Sequence, residues 1–429
     1  MVTGLELPFL TEADPDLLGE GSLDPLGLAR IADRLAEELL PDVTARMRRV
    51  RFLTLIAAGS HVVEDLRDVP AADRVTTPEI ALEWNIVEAF ARAGGLPVEA
   101  RQALPGIAKA RAALARKGRL DHRAYLRAPK VFGFFGVYRR LAVGAGLVDG
   151  DLTLKTRGEQ LLRAWEQDHP EVAAGFVDRR RDEPGGYMAI VLRDAARQAL
   201  LAGQATHRLH GVNDRIVQAF RLDTIGSLER QILMEALRDP LKIRRREVVD
   251  GVRRRDPGGS ERDALLALRE GASPELRATI DAIEAYEKVC HDALAAFAAA
   301  QVVSTSVGWS TADQIANHRD VRRGAERLMR DYRTAVERLD PIGIAPDAAI
   351  LLGDLADAAE LGSLVFVEAL MSHHELIQAN KPPGKRPWFE RSERGFYVRS
   401  PYRLEDRLAP GYIHPYRIQA IRGFLSDLR

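Results

Sequence analysis

A mainly α-helical fold is predicted, with helical domains, one embedded helix–hairpin–helix module and a small β-hairpin near the C-terminus. Three observations predict it. Apolar residues recur at helical spacing along most of the chain. Helix-start pairs stand ahead of the periodic stretches, at Asp24-Pro25, Thr77-Pro78 and Ser273-Pro274. Hairpin patterning is confined to two short places, 147–154 and 388–398.

The elements follow in order. Residues 1–45 hold ten acidic and two basic residues. Asp24 is the expected N-cap of a helix that buries Ile31, Leu35, Leu39 and Leu40 and stops at Pro41. A second helix is expected from near Asp42, with Met47, Val50, Leu53 and Ile56 on one face. Its Arg46, Arg48, Arg49 and Arg51 read as ion-pairing residues. The helix from Thr77-Pro78 presents Ile80, Trp84, Val87 and Phe90 and ends at Gly94-Gly95. Pro105 divides the helical stretch 97–117.

The stretch 130–168 carries the most specific pattern. An amphipathic helix with Val137, Leu141, Val143 and Leu147 is followed by two short strands about Asp149-Gly150-Asp151. Thr156 and Glu159 then have capping-box spacing ahead of Leu161, Leu162 and Trp165. The words GLV, an acidic turn and LTLKTRGEQLL resemble the recognition helix, wing and following helix of bacterial winged-helix DNA-binding proteins. The resemblance covers about a tenth of the chain. It implies an embedded winged helix-turn-helix whose Tyr138, Arg139 and Arg140 face nucleic acid, with Lys155 and Arg157 reaching phosphates beside the wing. Residues 101–163 hold fourteen basic and four acidic residues, so charge and pattern coincide.

Beyond Pro170 helices dominate. Arg244-Arg245-Arg246 and Arg253-Arg254-Arg255 read as solvated helix surface. A long helix from Ser273-Pro274 to about Ala300 and another over 319–339 form an expected pair, with 302–309 as a loop or strand between them. Residues 339–380 contain no Lys or Arg and seven acidic residues, and read as helices inside the domain. The tail is basic, with eleven basic and five acidic residues over 381–429. Its Lys381, Lys385 and Arg386 stand beside Trp388 and Phe389, which suits nucleic acid, although aromatic anchoring of a terminal subdomain explains the same residues better.

The expected divisions are 1–100, an N-terminal helical region; 101–170, the winged-helix module; 171–380, a helical domain with the long helix pair; and 381–429, a basic aromatic subdomain. Net charge is zero over 429 residues, so any nucleic-acid surface is local. Arginine supplies 54 of the 62 basic residues, which suits phosphate recognition but is also what a GC-rich genome produces. The lone Cys290 excludes disulfides within the chain and cysteine-rich zinc sites. No span or signal peptide is recognised, so a cytoplasmic, bacterial protein with no membrane partner is expected.

No nucleotide-binding, hydrolase-elbow or zincin motif occurs, and neither a cofactor nor a metal site is assigned. His373-His374-Glu375 with Gln378 and Lys381 is the most catalytic-looking cluster, and helix-end polarity explains it as well. The expected function is a double-stranded-DNA-binding component of a bacterial multi-protein system. In layout it is loosely similar to accessory proteins of phage-defence and DNA-modification islands, with the helical remainder binding a protein partner or a second copy. Two other readings stay open: a scaffold subunit whose winged helix contacts protein, and a metal-dependent nuclease using His374.

Overall fold

The computed structural model describes residues 24–93, 104–116, 118–126, 128–206, 213–221, 224–381, 386–399 and 411–429. Helices make up 67% of it, against one two-stranded antiparallel hairpin among the described residues. The mainly α fold and the C-terminal hairpin therefore stand as the patterning predicts. Among the described residues no helix is long and apolar enough to cross a membrane. Contacts divide the chain into two compact units, each made of two separated stretches. One joins the described parts of Met1–Glu38 and Ala272–Pro415; the other joins those of Leu39–Gly271 and Tyr416–Arg429.

The first unit is organised by the 34-residue helix Pro274–Val307. Ser273 starts it by accepting from Leu276 N at 3.2 Å, and Gly308 ends it at φ 78°. The helix runs through the stretch expected to be a loop or strand. Local propensity there is weak, but Ser304 is buried and bonded to the Ser310 hydroxyl, and tertiary packing overrides propensity. The Arg319–Leu339 helix folds back along it. A Cβ on Gly324 would stand 3.1 Å from both Ala296 Cβ and Asp292 O, so a glycine is what lets the two helices approach. Helices Ala345–Glu360 and Ser363–Ala379 pack on this pair, as expected for the stretch without basic residues. The hairpin pairs Phe389–Ser392 with Gly395–Val398, Phe389 opposite Val398. Phe396 exchanges backbone bonds with Ser310 at 2.8 and 3.0 Å, which pins the hairpin to the end of the long helix. Trp388 and Phe389 are buried around Phe297, with ring centroids 6.0 and 5.3 Å away. Anchoring of the subdomain therefore accounts for these two aromatics.

The second unit is built around Phe52–Val63, whose residues are buried on nearly every side. A helix apolar all round belongs inside a core. Helices Pro78–Arg92, Phe134–Gly144, Thr156–Asp168 and Pro184–Ala202 surround it. Its start lies ten residues beyond the expected one at Asp42. Asp42 instead adopts φ 69°, with its carboxylate 3.0 Å from both Lys242 Nζ and Arg245 Nη1.

Two arginines are internal, one of them expected on the surface. Arg51 is buried, donating to Ala219 O at 3.2 Å, Thr224 Oγ1 at 2.7 Å and Arg221 O, with Glu229 Oε1 3.3 Å from its Nε. Arg245, from the triplet read as solvated surface, is 0% exposed. It donates to Gly144 O, Ala236 O and Leu237 O, each at 3.2 Å. A guanidinium with five donors can close two helix C-termini at once, which repays the cost of burying its charge.

Candidate nucleic-acid interface

The stretch 129–168 lies wholly in the second unit. Pro129 opens a one-turn helix, Pro129–Phe132, and Gly133 separates it from Phe134–Gly144. Phe134, Phe135, Val137, Tyr138, Leu141 and Ala142 are buried, while Arg139 and Arg140 are exposed. The spacing of the apolar residues thus puts one face inward and leaves a basic strip outside. Gly146 ends the helix at φ 70°, and Leu147 N donates back to Ala142 O at 3.0 Å.

The hairpin is smaller than expected. A single antiparallel bridge joins Val148 and Leu154, in place of two strands. The Asp149 carboxylate accepts from Asp151 N at 2.9 Å and Thr153 N at 2.8 Å. These side-chain bonds occupy amides that a longer ladder would use. They also hold the Asp149 carboxyl below its ordinary range, the Thr153 amide contributing most.

The Thr156–Glu159 capping box does not form. Thr156 is already the first helical residue, the N-cap is Lys155, and no side chain caps the helix. Inward, Trp165 stacks on Phe220 at 4.9 Å and meets Phe176 edge-on at 5.0 Å.

The nominated residues fall into three groups. Tyr138 differs from expectation: it is 0% exposed, and its hydroxyl accepts from Arg48 N at 2.9 Å and Arg49 N at 3.1 Å. Burial pushes its hydroxyl up to a value outside physiological titration. It anchors the 48–50 segment and offers nothing to a ligand. Arg157 turns inward to Ala145 O at 2.6 Å and to Asp239, and Arg139 clasps Gly150 O at the turn. Arg140 and Lys155 are exposed.

In the other unit, Lys381 Nζ donates to Asp24 O at 2.6 Å, and Arg386 is exposed. Lys385 lies outside the described residues.

Two further exposed cations, Arg46 and Arg48, lie against this helix. The Arg46 guanidinium sits 4.2 Å over the Phe132 ring, and the Arg48 amide meets Tyr138. The sequence treats Arg46, Arg48, Arg49 and Arg51 alike. The fold separates them, because Arg49 finds Asp427 at 2.6 Å, 378 residues along the chain. No local signal contains that partner.

The His373–Lys381 cluster is structural. His374 Nδ1 donates to Pro25 O and its Nε2 accepts from Trp388 N, both at 2.8 Å. Gln378 Nε2 also reaches Pro25 O, and His373 Nε2 meets Leu26 O at 2.8 Å. Desolvation lowers the His374 imidazole to about 4. Both nitrogens of the His374 ring are thus hydrogen-bonded inside the unit, Nδ1 as donor and Nε2 as acceptor. What it serves is the 24–27 segment, where Asp24 caps the first helix through Leu28 N at 2.9 Å and Ala29 N at 3.1 Å.

No family model, no curated protein and no solved structure matches this chain.

Proposed function

We propose that this protein is a double-stranded-DNA-binding component of a bacterial multi-protein system, of the kind found in phage-defence and DNA-modification islands. In this reading residues 130–168 act as a winged helix, similar to those of bacterial winged-helix proteins. The helical remainder binds a protein partner or a second copy.

The observation that carries the reading is the exposed basic strip of one helix and its neighbours: Arg46, Arg48, Lys130, Arg140 and Lys155. The start of Thr156–Asp168, without a side-chain cap beside Lys155, adds backbone amides that suit a phosphate. The turn tip is acidic, with Asp149 and Asp151, so phosphate contact is assigned to the helix side. A mobility-shift assay on duplex DNA tests the reading. A folded protein that retards no duplex even at low salt rules it out.

A scaffold role is the second reading, favoured by Val131, Phe132 and Val143, which are 55%, 40% and 36% exposed on the same stretch. Apolar exposure beside a basic strip suits a protein partner. Absence of DNA binding together with a stable co-purifying protein selects it.

A further inference from the structure

We propose that Glu287, Cys290 and His414 form a binding site for a divalent zinc ion within the first unit. Glu287 and Cys290 are three residues apart on the Pro274–Val307 helix, so both project from one face. His414 arrives from the segment beyond the hairpin. One ligand atom from each of the three lies within 4.8 Å of the other two. Glu287 and Cys290 are buried, and the His414 side chain is 11% exposed.

The donor chemistry narrows the ion. Thiolate, imidazole and carboxylate together suit zinc, whereas magnesium and calcium take oxygen ligands. Tetrahedral ligands at zinc distances stand about 3.3–3.8 Å apart, a spacing that the three side chains approach. Charge balances as well. A thiolate and a carboxylate with a neutral imidazole cancel the two positive charges, and the Cys290 thiol releases its proton to solvent on uptake.

The surroundings position the three donors. His414 Nδ1 donates to Glu287 Oε1 at 2.8 Å, and Ile413 N donates to Glu287 Oε2 at 2.6 Å; on uptake the ring proton moves to Nε2 and the ion takes the place of the hydrogen bond between the two side chains. The Tyr286 ring stacks on the His414 ring, with centroids 6.3 Å apart. One turn away on either side, Tyr412 donates to Glu284 Oε1 and His291 Nε2 donates to Gly411 O, each at 2.6 Å. The ion would lock the 411–414 segment onto the long helix, with one coordination position left for water.

Cobalt uptake by the chelator-treated, full-length protein tests the site. We expect one equivalent of Co2+ to bind with a thiolate-to-cobalt absorption band that Zn2+ then abolishes. Cys290 is the only cysteine, so the band has a single possible source. It disappears in Cys290→Ser, and His414→Ala weakens cobalt binding by at least about tenfold. His414 lies at the edge of the site, which keeps the second variant informative if the first fails to fold. A folded wild-type protein without the band, or full cobalt affinity in His414→Ala, overturns the proposal.

Discussion

The Arg245 guanidinium donates to the Gly144 carbonyl at 3.2 Å, closing the C-terminus of the helix that carries Arg139 and Arg140. The same group holds Asp42 and the last carbonyls of Ser227–Leu237. Arg245→Met leaves the Asp42 carboxylate and three carbonyls short of a donor. We expect a loss of about 3–5 kcal/mol in urea-induced unfolding. A change under about 1 kcal/mol contradicts this role.

His374 joins Pro25 O to Trp388 N through a neutral imidazole. The unfolded chain takes up a proton near 6.5, whereas the folded state resists protonation down to about 4. Stability contributed here is therefore present above pH 6.5 and lost as pH falls toward 4. Nitrogen-resolved NMR should find the Nδ1–H tautomer at neutral pH, with no titration above pH 5. His374→Ala should cost about 2–4 kcal/mol, because the buried Trp388 amide loses its acceptor and Pro25 O keeps only Gln378.

Glu83 behaves in the opposite sense. It is 0% exposed, accepts from Tyr125 Oη at 2.8 Å and Phe135 N at 3.1 Å, and desolvation raises its carboxyl from 4.5 to about 8. The folded state keeps a proton that the unfolded chain gives up near 4.5. Stability thus falls as pH rises from about 4.5 to about 8. Glu83→Gln should flatten the unfolding free energy across that window, as measured by chemical denaturation at stepped pH. An unchanged slope contradicts it.

Gly133 supplies the space that Glu83 occupies, since a Cβ there would lie 2.0 Å from its Oε1. Gly133→Ala should destabilise by about 1–3 kcal/mol through overpacking. The paired variant Gly133→Ala, Glu83→Ala should recover part of that loss, because the clash is with the carboxyl itself.

What the sequence made legible was whatever is local. The helical periodicity, the Asp24 and Ser273 caps and the aromatic hairpin all lie within a few residues of their cause. Partners distant in sequence were hidden. Arg49 pairs with Asp427 and Arg51 with Glu229, so one arginine run divides into buried and exposed members only in the fold. Tyr138 and Arg157 have the residue types of a phosphate-binding surface, yet backbone amides take one and Asp239 takes the other. Glu287, Cys290 and His414 come together across 127 residues of chain, and no spacing rule could have joined them.

The central claim is that exposed cations along 46–48 and 130–155 contact duplex phosphate. Its most direct test is the salt dependence of duplex binding, followed by fluorescence anisotropy for wild type and for Arg46→Ala, Arg48→Ala, Arg140→Ala, Lys155→Ala combined. The variant is expected to stay folded and bind more weakly, with the slope of log K against log salt shallower by roughly three to four. Equal affinity and an equal slope in the two proteins would contradict it.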